Sequence, residues 1–218
     1  MGLLTDIVSS SIGKKITVGL TGILLCTYLV VHLGGNLLLF RPDDGAAFDA
    51  YAAILPGLLI IRIIETLLFA IFFVHIVTGT VVWYQNRRAR PVQYALHRKN
   101  DTSNPLSRIM FVTGSVVFIF LVVHLNTFWV PARFRHDEPA SMYAIVREAF
   151  SDPLYSIFYV IAMALLAFHL RHGFQSAFQT FGLRTLKYSR LIEGAGVIFW
   201  LLIPVGFASI PIFYLINR

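Results

Sequence analysis

The sequence predicts an all-α integral membrane protein, a bundle of five transmembrane helices with the N-terminus in the cytoplasm and the C-terminus outside. Three observations predict it. Five apolar runs are each long enough to cross the hydrocarbon of a bilayer, at about 20 residues per crossing. Hydrophobic residues make up 57% of the 218 and charged residues only 13%, more apolar surface than a water-exposed domain of this size can hide. The cations are also unevenly divided between the segments that join the runs.

The spans read as about 16–40, 55–84, 106–130, 154–181 and 191–216, within one domain over 1–218. Lys14 and Lys15 ahead of the first run resemble the charged start of a signal peptide. The run from Ile16 to Phe40 is too long for a signal core, and no small-x-small cleavage site follows, so it reads as the first span. Pro56, Pro105 and Pro153 stand at the entrances of the second, third and fourth spans, where a missing N–H costs little. Pro204 and Pro211 fall inside the fifth and predict kinks.

Orientation follows from the loops. With the N-terminus inside, the inner segments hold Lys14, Lys15, Arg87, Arg88, Arg90, Arg98, Lys99, Arg108, Arg171, Arg184, Lys187 and Arg190. The outer side holds Arg41, Arg62, Arg133, Arg135, Arg147 and Arg218, with eight of the eleven acids. Positive charge inside favours this arrangement, so the net charge of +7 reads as topology and not as nucleic-acid binding. The single Cys26 excludes an internal disulfide and any cysteine-held iron–sulfur cluster or zinc site within the chain.

An internal repeat organises the first four spans. Thr21-Gly22 precedes Leu29-Val30-Val31-His32-Leu33, and 92 residues later Thr113-Gly114 precedes Leu121-Val122-Val123-His124-Leu125. At an offset of 94, His75-x3-Gly79 with Tyr84-Gln85 parallels His169-x3-Gly173 with Phe178-Gln179. Sites in membrane proteins often lie between such repeats.

Four histidines, His32, His75, His124 and His169, lie deep in four consecutive spans. One such imidazole could simply hydrogen-bond a neighbouring helix; one on each of four spans points to function. The first and third spans run outward, which sets His32 and His124 near the outer face. The second and fourth run inward, which sets His75 and His169 near the inner face. At 1.5 Å of rise per residue the two levels differ by roughly 10–15 Å. Two histidines at one depth suit a planar macrocycle with two axial ligands, hence two b-type haems with His32 and His124 on the outer iron and His75 and His169 on the inner. Zinc prefers four protein ligands on one centre, which two histidines do not supply. Gly79 and Gly173 share a helical face with His75 and His169. Gly22 and Gly114 lie ten residues, or ~15 Å, before His32 and His124, at the depth of the inner pair. The four read as clearance for a flat ring, whereas Gly19, Gly34 and Gly35 read as helix-packing positions.

The ordered set Ser11-Ile12-Gly13-Lys14-Lys15, His32-Leu33-Gly34-Gly35-Asn36, His75-x3-Gly79, His124 and Phe168-His169-x3-Gly173 resembles the single-subunit dihaem cytochrome b anchors of succinate dehydrogenase and quinol:fumarate reductase. The resemblance spans nearly the whole chain. It implies the same histidine pairing and a bacterial cytoplasmic membrane. It also implies two soluble partners on the cytoplasmic face, a flavoprotein with FAD and an iron–sulfur subunit. Electrons would be exchanged between the iron–sulfur subunit and quinone, menaquinone being usual in dihaem members. The cytochrome b subunit of a hydrogenase or formate dehydrogenase is an alternative, and a repeat-built transporter with histidine substrate ligands is a more distant one.

Three positions carry two readings each. His172 is an alternative ligand to His169, or with Arg171 a partner for haem propionates. Glu65, ten residues before His75, is a candidate for proton exchange with quinone beside Arg62; the same two residues are three apart and can form an intrahelical ion pair. His97 and His136 fall in loops and read as solvated.

Overall fold

The first helix among the described residues, α1 (Ser11–Phe40), begins where Ser10 accepts a hydrogen bond from Gly13 N at 2.9 Å, an N-cap six residues before the apolar run starts. The computed structural model describes residues 10–89, 109–134, 141–185 and 187–217. Pro105, His97, His136, Arg90, Arg98, Lys99, Arg108, Arg135 and Arg218, all used above, lie outside the described residues. The further helices among the described residues are α2 (Ala46–Ile54), α3 (Leu59–Arg88), α4 (Met110–Phe134), α5 (Met142–Ser151), α6 (Pro153–Thr180) and α7 (Ser189–Ile216). Of these, α1, α3, α4, α6 and α7 are long and apolar enough to cross a membrane. No strand occurs among the described residues.

Local chemistry sets the helix ends. Pro153 occupies the first turn of α6, and Asp152 caps it by accepting from Leu154 N at 2.8 Å. The second span starts at Leu59, later than the apolar run begins, because Leu55-Pro56-Gly57 closes a 3₁₀ turn and Leu58 is extended. It runs on to Arg88, past the apolar limit at Tyr84. Beyond that limit Gln85 accepts from Lys14 Nζ at 3.1 Å, joining α1 to α3 in the polar zone.

Two helices widen into π turns, Leu125–Trp129 in α4 and Ile198–Leu202 in α7. A proline follows each by two residues, Pro131 and Pro204. A proline ring collides with the carbonyl four residues back and offers no N–H. The wider turn relieves both problems within a continuous helix. Pro211 is accommodated inside α7 without one, its side chain fully buried.

α6 is the axis of the bundle and packs against α1, α4 and α7. Its buried residues include Ser156, Tyr159, Met163, Leu166 and Leu170, a stripe at intervals of three and four that faces inward over about four turns. Close approach is secured by small residues, since a Cβ at Gly19 would stand 3.4 Å from the Ala177 backbone. α3 is the opposite case. It packs on α1 but has no buried residue, and its backbone stays apart from that of α4. α3 and α4 meet instead through side chains, Trp83 stacked on Phe111 at 3.8 Å near one end and Phe69 against Trp129 at 5.2 Å near the other.

The segments expected as loops between the first and second, and third and fourth, spans contain α2 and α5. These short helices cover the end of the bundle that holds His32 and His124. Phe48, Val146 and Phe150 are buried against Leu39, Tyr159, Ile210 and Tyr214. Asp49 Oδ1 accepts from Tyr143 N at 2.8 Å and ties α2 to the start of α5. Gly45, at φ 84°, precedes α2, and the Tyr143 ring occupies the place a Cβ would take. Gly45→Ala is therefore expected to lower the melting temperature in detergent. The left-handed backbone alone costs about 1–2 kcal/mol for a residue with a Cβ, and displacement of Tyr143 adds to it. An unchanged melting temperature would show that this cap contributes nothing to stability.

Candidate functional site: two histidine pairs

The bundle brings the four intramembrane histidines together two by two. His32 of α1 and His124 of α4 have ring centroids 5.8 Å apart with planes at 89°. His75 of α3 and His169 of α6 have centroids 6.4 Å apart with planes at 71°. The ring that stands against His75 is that of His169, one turn away from His172. On α6, His169 lies ten residues beyond Tyr159, the residue that touches His124, so the two levels are separated by ~15 Å of helical rise.

The separations are of the size that two imidazoles on one metal would need. Imidazole nitrogens bind first-row metals at ~2 Å, so two rings on opposite sides of one metal hold their centres roughly 6 Å apart. No group of three or more His, Cys, Asp or Glu side chains converges among the described residues. A metal held between either pair would have two protein ligands and would take its other ligands from another molecule.

The hydrogen bonds at Nδ1 determine which nitrogen each ring has free. Thr21 Oγ1 gives its proton to Thr17 O at 2.7 Å, so what it turns toward His75 Nδ1, 3.0 Å away, is a lone pair. With the Thr21 proton on the backbone, His75 would carry its own proton on Nδ1 and present its Nε2 lone pair, the arrangement that would orient a metal-binding histidine. His124 Nδ1 lies 3.1 Å from the Tyr159 hydroxyl. His32 Nδ1 has only contacts at 3.5 Å, to Tyr28 OH and Asn36 Nδ2. His169 Nδ1 is buried and has no hydrogen-bond partner among the described residues. Thr113, the repeat counterpart of Thr21, turns its hydroxyl to Met110 O at 3.1 Å instead. Thr21 and Tyr159 are functional candidates that the histidine pattern alone does not single out; the recurrence of Thr-Gly in the repeat was the available signal for the first.

The paired glycines take unlike positions. A Cβ at Gly22 would stand 3.3 Å from His75 Cε1, and one at Gly114 would stand 3.2 Å from His169 Cε1. In this structure the room they leave is taken by the imidazoles. Nothing lies within 4 Å of a Cβ at Gly79, whereas Gly173 faces Met110 Cε at 3.5 Å. The repeat also extends to aromatic stacking from one turn before His32 and His124, Tyr28 on His32 at 5.3 Å and Phe120 on His124 at 5.7 Å.

Arg62 and Glu65 do not pair with each other. Arg62 Nε donates to Pro56 O at 3.2 Å. Glu65 reaches across to α4, accepting from Trp129 Nε1 and standing 3.8 Å from Arg133 Nη2. At the other end, the Arg171 guanidinium lies over the Trp200 ring at 5.0 Å, and His172 beside it is half-buried.

Comparison with known protein families, with curated proteins and with solved structures finds no match for this chain.

Proposed function

We propose that this chain is the membrane-anchor cytochrome b subunit of a bacterial succinate dehydrogenase, with quinol:fumarate reduction as the same machine run in reverse. The carrying observation is the pairing of four intramembrane histidines at two levels, with ring separations of 5.8 and 6.4 Å. His32 and His124 would hold one b haem, and His75 and His169 the other. When bound, these groups would supply one-electron carriers between a soluble iron–sulfur subunit and menaquinone. The chain's own part is to present Nε2 lone pairs at fixed positions, with Thr21 holding the His75 ring in the required tautomer. With both axial positions filled by protein, the centres would suit electron transfer and not the binding of small gases. The flavoprotein and iron–sulfur partners would sit on the cytoplasmic face, by the His75–His169 level. Glu65, held by Trp129 and Arg133, and Arg62 are the polar groups near the outer level that could exchange protons with a quinone.

Haem content tests the reading. Full-length protein made under haem-replete conditions is expected to bind two b haems per chain and to show a reduced-minus-oxidised b-type band. A chain that binds none, while transporting a metal or small solute, would favour a repeat-built transporter. Co-purification with a nickel or molybdenum subunit in place of a flavoprotein would favour a hydrogenase or formate dehydrogenase anchor.

A further inference from the structure

We propose that Tyr159 is a positioning residue for His124, fixing its proton on Nδ1 through a one-way chain of hydroxyls and so making this ligand the most electron-rich of the four. The inference rests on the two-haem reading and deepens it. The chain starts and ends on neighbouring residues of α4. Thr127 Oγ1 donates to Val123 O at 3.0 Å, which commits its only proton. Tyr155 OH faces both Thr127 Oγ1 at 2.8 Å and the Tyr159 hydroxyl at 3.2 Å with one proton for the two; assigning that proton to the shorter contact leaves Tyr159 to donate across the longer one. The Tyr159 oxygen then faces His124 Nδ1 at 3.1 Å with lone pairs only, and His124 must donate.

Burial leaves the assignment to these groups alone. Tyr159 is 5% exposed, inside a shell of Phe120, Phe128, Phe150 and Phe158. No solvent replaces a lost partner for its hydroxyl there. Hydroxyls in series polarise one another, and an acceptor on Nδ1–H raises the basicity of the opposite nitrogen. A more basic axial ligand favours the oxidised metal, so this chain holds the outer centre at a lower potential than its ligands alone would give.

The two halves of the repeat differ at this point. The offset of 94 residues that carries His75 onto His169 carries Glu65 onto Tyr159. Glu65 turns to Trp129 and Arg133, and His32 is left with contacts at 3.5 Å. The outer pair therefore comprises one strongly polarised and one weakly supported imidazole.

Redox titration of full-length haem-loaded protein in membranes tests this. Tyr159→Phe removes one oxygen without changing ring packing, and is expected to keep both haems, raise the potential of the outer centre and leave the inner centre unmoved. Tyr155→Phe, one link further, should shift the same centre in the same direction by less. Thr21→Val should move only the inner centre. Two retained haems with an outer potential indifferent to both tyrosine variants, or shifted downward, would overturn the assignment. If Tyr159→Phe fails to assemble, Tyr155→Phe alone decides. A parent protein that takes up no haem overturns the underlying reading, and this one with it.

Discussion

Replacing His75 with alanine is expected to leave about one haem per chain where the parent protein binds two, with the surviving spectral component the one lost on replacing His124. The expectation follows from the separation of the pairs. His75 stands against His169 at 6.4 Å and His32 against His124 at 5.8 Å, on levels ~15 Å apart by helical rise. Removing one imidazole from a pair deletes half of the protein's ligands to that centre and none of the other's. On the proposed reading the His75 variant should also lose succinate-driven quinone reduction, because the inner centre would be the one facing the iron–sulfur partner. The measurement is pyridine-haemochrome content together with low-temperature difference spectra. Loss of the same component in the His75→Ala and His32→Ala proteins would refute the pairing.

Gly22→Val and Gly114→Val are expected to abolish haem binding at the inner level while sparing the outer one. A bare Cβ would already stand 3.3 Å from His75 Cε1 or 3.2 Å from His169 Cε1, tighter than ordinary van der Waals contact. The two γ-carbons of valine must push the ring aside or part the helices. Overpacking of this kind costs about 1–3 kcal/mol, enough to move an imidazole that must be placed within a fraction of an ångström. Gly34→Val, where a Cβ meets nothing within 4 Å, is the matched control and should bind both haems. Normal inner-level haem in the Gly22 and Gly114 variants would show that the rings have freedom the structure does not reveal.

What could be read in the sequence was whatever obeys a period along one helix. The five apolar runs give five helices long enough to span, and 1.5 Å of rise per residue sorts the four histidines into the levels at which their rings stand. Pro153 at the first turn of α6 is likewise a local rule at work. What the pattern could not give depends on neighbours distant in sequence. The local rule paired Glu65 with Arg62, three residues away, but its partners are Trp129 and Arg133 on another helix. Tyr155 and Tyr159, one turn apart in an apolar run, look like any lipid-facing aromatic pair until α4 is laid against them. The helices α2 and α5, of 9 and 10 residues, were hidden by shortness and by charges suited to a loop. Only burial of Phe48, Val146 and Phe150 against the bundle makes them helices worth forming.

The contrast between α6, a buried axis, and α3, with no buried residue, bears on how the two helices tolerate change. A side chain that meets only acyl tails needs to be oily and nothing more, so Ile60, Ile64, Leu67 and Val77 are interchangeable with other aliphatics. One that meets Met163 or Leu166 must also have the right shape. Random drift would thus erode the two helices at different rates, leaving α3 recognisable by little besides its imidazole while α6 keeps most of its letters.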